Sequence, residues 1–466
     1  LASNTKMYAT NYAIQKLVSE GKLNLDEKIS SFPGWENYKD SYVIYTGDWT
    51  LGGKGKLPST PVTGKETVTV RDLLHHSGGN IPDPQYPNRA VAGGLWYQNS
   101  DSANRSGIID IICKTPLQYK PRTTIMYSDL DFMILGLLVE QITGMPLDKY
   151  VENEIYGKLG ISHTVFNPLT KGFSKSEIAA TELNGNTRDG NISFGTMDDG
   201  SPVNIRKYTL QGEVHDEKAW YSMGGVSGHA GLFSTTGDMA VLTQLMLNGG
   251  IYNGTQVFTK EVADQFTAPY SVSGTQSTLD SSTYGLGWRL ASKTGSYWYF
   301  NWGPSRSTYG HQGWTGTLTI IDPVYNMTIT MLTNLRHSPV DNPPNGFVGY
   351  ENYTIGDFGP ITGLIYQALI TDKTSLDSTS VDSIRTLMEE YEKSQELVGP
   401  LVPQLSNSLN QAEKFFNEKK QEQAVTHMED FLKLLNNPTM SSHISKSAKE
   451  ALNSYATALI KKWTNK

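Results

Sequence analysis

The sequence predicts an α+β domain, an antiparallel sheet covered by helices plus a helical subdomain, followed by an all-α bundle. Three observations carry this. Of the 44 glycines only Gly399 lies beyond residue 371, and only six of the 48 aromatic residues do. Runs of β-branched residues cluster late, at 315–322 and 327–334, with Asp322-Pro323-Val324-Tyr325-Asn326 between them as a turn, so they read as an antiparallel hairpin. Apolar residues recur at helical spacing through much of the rest. The domains expected are therefore 1–370 and 371–466, joined by the short polar segment Thr371-Asp372-Lys373-Thr374-Ser375.

Helices are expected at 3–20, 70–76, 129–143, 146–157, 236–248 and 355–369, and strands at 284–291, 307–311, 315–322 and 327–334. The first helix carries Ala9, Ala13, Ile14, Leu17 and Val18 on one face and stops at Gly21. The helix at 129–143 bears Leu130, Met133, Ile134, Leu137, Leu138 and Ile142 on a broad apolar stripe, with Asp129 as its expected N-cap. The helix at 355–369 is expected to cover the sheet. In the tail, helices at about 379–397, 401–418, 420–436 and 443–463 follow one another with short connections, so they are expected to pack as antiparallel neighbours. His427 and His443 read there as surface residues.

Composition narrows the function. The 466 residues carry a net charge of −7 with no Lys/Arg block, which argues against nucleic acid. The tail holds 12 Lys/Arg against 13 Asp/Glu, leaving 27 against 33 in the larger domain, which is the acidic one. No run of about 18 apolar residues exists to span a bilayer. The single cysteine, Cys113, sits among isoleucines and reads as a buried thiol. The sequence opens directly on a helix without a signal-peptide pattern, so a processed form or further upstream residues are expected.

The chemistry is concentrated in three stretches. Ser3 and Lys6 stand three apart at the head of the first helix and share a face. A serine hydroxyl becomes nucleophilic when a neighbouring base takes its proton, and a lysine does this when burial lowers its pKa. Met126-Tyr127-Ser128-Asp129 opens the 129–143 helix and offers a phenol as proton relay. Tyr309-Gly310-His311-Gln312-Gly313-Trp314 lies at the edge of the hairpin. There Gly313 would let a substrate backbone approach the strand, and the amides of Ser3 and Trp314 would form an oxyanion hole.

These residues resemble the serine β-lactamase-like and penicillin-binding family, whose motifs Ser-x-x-Lys, Tyr-x-Asn and Lys-Thr-Gly (or His-x-Gly) match in order as Ser3–Lys6, Tyr127-Ser128-Asp129 and His311-Gln312-Gly313. Leu73-Leu74-His75-His76-Ser77-Gly78-Gly79 and Gly224-Gly225-Val226-Ser227-Gly228-His229-Ala230-Gly231-Leu232-Phe233-Ser234 resemble the penicillin-binding protein 4B type of D-alanyl-D-alanine carboxypeptidase. The resemblance covers residues 1 to about 370 and implies a β-lactamase/transpeptidase-like fold. It also implies acylation of Ser3, with Lys6 as base, Tyr127 as shuttle, Asp129 and His311 assisting, and water releasing the acyl group. Two positions depart from the pattern. Asp129 replaces an asparagine and as a carboxylate only accepts hydrogen bonds. His311 replaces a lysine, and is cationic only if protonated. Relatives also carry a helix and two strands before Ser-x-x-Lys, so a longer N-terminus is expected.

Further candidates for substrate contact are Arg188 (equally a loop ion pair), His215 and His229. An Asp/His set around 215–229 invites a zinc reading, but the spacing is irregular and this chemistry needs no metal, so neither metal nor cofactor is expected. His75 and His76 read as structural, and 295–302 as an aromatic wall or packed loop. The expected substrates are peptidoglycan peptides or small esters and amides, with β-lactams as acylating ligands. The alternatives are a muropeptide amidase or esterase on the same scaffold, or a penicillin-sensing protein without turnover. By resemblance the protein is expected in a bacterial cell envelope or outside the cell, in a Gram-positive organism. The tail is expected to bind a wall component, or equally to act as a spacer.

Overall fold

The computed structural model describes residues 1–41, 57–58, 60–269, 284–291, 300, 303–351, 358–371, 379–393 and 395–464. The aromatic segment at 295–302, apart from Phe300, and the linker beyond Thr371 lie outside them. Two compact units emerge. The first holds Leu1–Arg289, Gly310–Ile321 and Thr328–Thr354; the second holds Leu290–Tyr309, Asp322–Met327 and Ile355–Lys466.

The first unit begins on the helix that bears Ser3, and its opening turns are irregular. A 3₁₀ turn, Ala2–Asn4, runs into a π-helical stretch, Lys6–Asn11, and only then into α1, Tyr12–Ser19. π-helical turns are rare and concentrate at functional sites. Residues 4–17 are buried, with Met7, Tyr8, Ala9, Ala13 and Ile14 fully inside. Side chains pin it from several directions. Asn4 donates to Thr317 (3.0 Å), Thr10 to the Gly228 carbonyl (2.7 Å) and Asn11 to the Leu286 carbonyl (2.8 Å).

α2, Val70–Leu74, is capped by Thr69 in a capping box with Asp72. α3, Ser106–Lys114, has no counterpart among the expected helices; its isoleucines favour strand as much as helix. α4 spans Asp129–Thr143, but its N-cap is Ser128, whose hydroxyl accepts from the Asp131 amide (3.2 Å). Asp129 therefore stands one residue inside the helix and its carboxylate is released for other work. α4 is apolar nearly all round, as a central helix is. The glycine-rich loop 224–231 lies against it so closely that a Cβ at Gly228 would sit 2.1 Å from the Phe132 carbonyl.

A four-stranded sheet has the order β4-β3-β2-β1, where β1 is Arg289–Leu290, β2 Tyr309–Gly313, β3 Thr317–Asp322 and β4 Met327–Leu332. β3 is buried on both faces, while β4 is half-buried at the sheet edge. Of the expected 284–291 strand, only two residues pair in this sheet.

In the second unit, α5 (Val381–Lys393), α6 (Leu401–Asn417), α7 (Gln421–Leu435) and α8 (Lys446–Thr464) match the expected tail helices to within a few residues at each end. Their core gathers Ile384, Leu405, Leu409, Met428, Phe431 and Leu452, and Val324 from the β3–β4 turn joins it. Tyr391 donates to the Tyr325 hydroxyl (2.8 Å) beside it. Among the described residues no single helix is long and apolar enough to cross a membrane.

Candidate active site

Ser3 sits at the head of the buried helix, directly after Ala2, whose left-handed backbone (φ 47°) is uncommon for a side-chain-bearing residue. The Lys6 ammonium is fully buried. It donates to Ser3 Oγ (3.0 Å), Asp129 Oδ1 (2.7 Å) and the His229 carbonyl (3.2 Å), and lies 4.8 Å from the centre of the Tyr127 ring. Burial alone would pull its pKa down. Asp129 and Tyr127 outweigh that, and Lys6 is held above the ordinary lysine value. The expectation that burial frees this amine is thus corrected: in the resting site Lys6 is an ammonium paired to a carboxylate. Burial would raise the Asp129 carboxyl, but Lys6, Lys218 and His229 hold it well below the usual range.

Tyr127 is bracketed by His76. The Met126 amide donates to the His76 carbonyl (2.8 Å), the Ser128 amide to His76 Nδ1 (3.2 Å), and the imidazole lies 4.8 Å from the phenol ring. Burial raises the Tyr127 pKa, opposed by Lys6 and Ser3. His76, read from sequence as merely structural, fixes the backbone on both sides of the phenol.

His311 lies 5.9 Å from Tyr127, ring to ring. Its Nδ1 donates to the Gln312 carbonyl (2.7 Å), which leaves Nε2 as the bare acceptor, buried and without a hydrogen-bond partner among the described residues. Burial, Arg289 and Lys6 push its pKa well below that of a free histidine, so the ring is neutral. It does not replace the cation of a lysine in the third motif.

Ser3, Tyr127, Asp129 and Trp314 line one cleft of about 290 Å³, together with Asp83, Arg188, His215, Asp216, Glu217 and Lys218. Trp314 is 39 % exposed and fixed by Arg336, whose guanidinium lies 3.7 Å from its ring centre and donates to its carbonyl (2.9 Å). Arg188 is in the cleft wall but is committed: it meets Glu182 (2.9 Å) and Glu217 (2.6 Å), and those carboxylates raise its pKa against burial. Of its two readings, the ion pair is the one formed. His215 Nε2 lies 2.8 Å from the same Glu182.

Two candidates for substrate contact stand elsewhere. His229 presents its carbonyl to Lys6, while its ring spans Ser227 (2.8 Å) and Asp216 (2.9 Å) and stays out of the cleft lining. Gly313 packs against the molecule's own chain: a Cβ there would come within 2.2 Å of the Leu1 carbonyl. Its smallness serves the segment leading into Ser3.

Lys218, which the sequence offers only as one member of a polar 213–219 stretch that could line a pocket, occupies the centre of the acidic wall. Its ammonium is buried and meets Asp83, Asp129 Oδ2 (3.2 Å) and Asp216 Oδ2 (3.2 Å). Asp129, Asp216 and His229 bring potential ligand atoms within 4.8 Å of one another, and Lys218 sets its ammonium against both aspartates.

Comparison with known proteins completes the picture. A family model described as Beta-lactamase matches residues 1–349, and one described as FIMAH domain matches 381–461. A protein of Escherichia coli (strain K12) named "Putative D-alanyl-D-alanine carboxypeptidase" is 50% identical over 372 residues, covering 79% of this chain and 76% of its own. One of the same name from Salmonella gallinarum is 51% identical over 352 residues, covering 75% and 72%. Among solved structures, unliganded simvastatin synthase (LovD) from Aspergillus terreus aligns with a TM-score of 0.52 at 19% identity, covering 80% of this chain and 84% of that one, a likeness of fold. With three quarters of its length matched and half of those residues identical to its relatives, the chain belongs to the Beta-lactamase family and is a serine hydrolase.

Proposed function

We propose that this protein is a D-alanyl-D-alanine carboxypeptidase that acts on cell-wall peptides in the bacterial envelope through an acyl-enzyme on Ser3. The observation that carries the reading is the 3.0 Å contact between Ser3 Oγ and the buried Lys6 amine, at the wall of a cleft shared with Tyr127 and Trp314. Neutral Lys6 takes the proton from Ser3 as the hydroxyl attacks, and Tyr127, whose ring centre lies 4.8 Å from Lys6, gives its own proton to the leaving group and receives the one on Lys6 in exchange. The amides of Ser3 and Trp314 would then receive the oxyanion, where loss of one donor costs about 3–4 kcal/mol. The names of the relatives and the family's chemistry support this reading.

A second reading, hydrolysis of an ester or amide with no free carboxylate, is favoured by one observation. The cations in the cleft wall, Arg188 and Lys218, are already paired with carboxylates, and His311 is neutral. Fluorescent penicillin labelling, with muropeptide digestion followed by chromatography, separates the two. Labelling that vanishes in Ser3→Ala, with release of D-alanine, supports the carboxypeptidase. Ser3-dependent ester cleavage without D-alanine release supports the second reading, and labelling that survives Ser3→Ala sinks both.

A further inference from the structure

Lys218 and Lys6 grip opposite oxygens of one carboxylate. Asp129 Oδ1 lies 2.7 Å from Lys6 and Oδ2 lies 3.2 Å from Lys218, so the two ammonium groups compete for one negative charge. Lys218 is itself held by Asp83 and Asp216, and Asp216 is braced by the His229 ring (2.9 Å), which Ser227 holds from its other side (2.8 Å). This chain of alternating charges runs from the cleft wall to the catalytic helix through residues 83, 129, 216 and 218, which three separate stretches of sequence supply.

We propose that Lys218 is a positioning residue for the Ser3–Lys6 pair, sharing the charge of Asp129 with Lys6 so that Lys6 can give up its proton and accept the one on Ser3. This rests on the acyl-enzyme reading above. Without Lys218, Asp129 would bind Lys6 with its charge undivided, and the repulsion between the two ammonium groups would be lost. Both changes favour protonated Lys6, the form unable to act as base. The other groups that face Lys6 are Tyr127, the Ser3 hydroxyl and the His229 carbonyl, with His76, Asp131 and His311 acting at longer range. Those that face Lys218 are Asp83, Asp129, Asp216 and Glu217.

The test is the pH dependence of the rate at which fluorescent penicillin acylates the full-length chain, with Ser3→Ala as the blank. A charge within about 4–6 Å moves a pKa by about 1–3 units. Lys218→Met should therefore move the acidic limb of the profile upward by about one pH unit, a slowing of about tenfold below the limb. Lys218→Arg should return it toward the wild-type position. In an Asp129→Asn background, Lys218→Met should shift the limb much less, because the intermediary is gone. If thermal melting shows that Lys218→Met does not fold, Asp216→Asn serves instead. It leaves Lys218 freer to engage Asp129, so the limb should move down. A limb unmoved in a folded Lys218→Met, or in Asp216→Asn, overturns the proposal while leaving the acyl-enzyme intact. A wild type that penicillin never labels overturns the underlying reading first.

Discussion

Two buried lysines in the first unit show how much a partner matters. Lys6 and Lys65 are both almost wholly inside, at 0 % and 1 % exposure. Lys6 faces Asp129 and is held above its ordinary pKa. Lys65 faces the carbonyls of Ile112, Cys113 and Thr115 (2.6–3.0 Å) and the Tyr38 ring, and burial pulls it down to about 7. Dipoles satisfy the hydrogen bonds of an ammonium, but only a full opposite charge offsets its desolvation. Burial therefore makes a base of a lysine only where no carboxylate answers it.

The sharpest way to break this contrast is Asp129→Asn. It should bring Lys6 toward the state of Lys65, moving the acidic limb of the acylation profile down by more than one pH unit, provided that the amide keeps its hydrogen bond. A limb that stays or rises would show that Asp129 does not govern Lys6. Next in size, Lys65→Met should leave three carbonyls at the end of α3 without their donor and destabilise the fold by about 2–4 kcal/mol, read from denaturant midpoints. The smallest effect lies in the pH dependence of that loss. The Lys65 pKa is lower in the fold than in the unfolded chain, so between about 7 and 10.5 the unfolded chain binds more protons, and this lysine's contribution to stability rises with pH. Lys6 has the opposite sign: its raised pKa contributes stability below 10.5 that is lost as pH climbs through the folded value. The gap between wild type and Lys65→Met should therefore widen from pH 7 to pH 10; a gap that narrows would mean Lys65 keeps its charge.

What was legible in the sequence follows from the range of the interactions involved. The 129–143 helix and the four tail helices are written in local periodicity, and they form as expected. Ser3, Lys6, Tyr127 and Asp129, which the structure brings together, stand in short motifs that a sequence displays directly. Asp129 was read as the cap because Asp and Ser serve equally there, and only the Ser128–Asp131 contact decides. Lys218 stood in a stretch read as possible pocket lining, but its own role was not read, because its partners Asp83 and Asp129 lie 135 and 89 residues away and no local spacing marks such contacts. The density of acidic and histidine residues at 213–217 was the only hint. His76 was seen, but its hold on Tyr127 depends on a loop fifty residues away. Arg336 gave no signal at all.

Gly313 deserves its place for what it lacks. Because the Leu1 carbonyl occupies the space where a side chain would begin, the floor of β2 is the ruler against which the Ser3 hydroxyl is set. Adding a single methyl there would work like a wedge driven under the hinge of a door. The Lys6 ammonium would survive intact, yet the Ser3 oxygen it now reaches at 3.0 Å would be displaced.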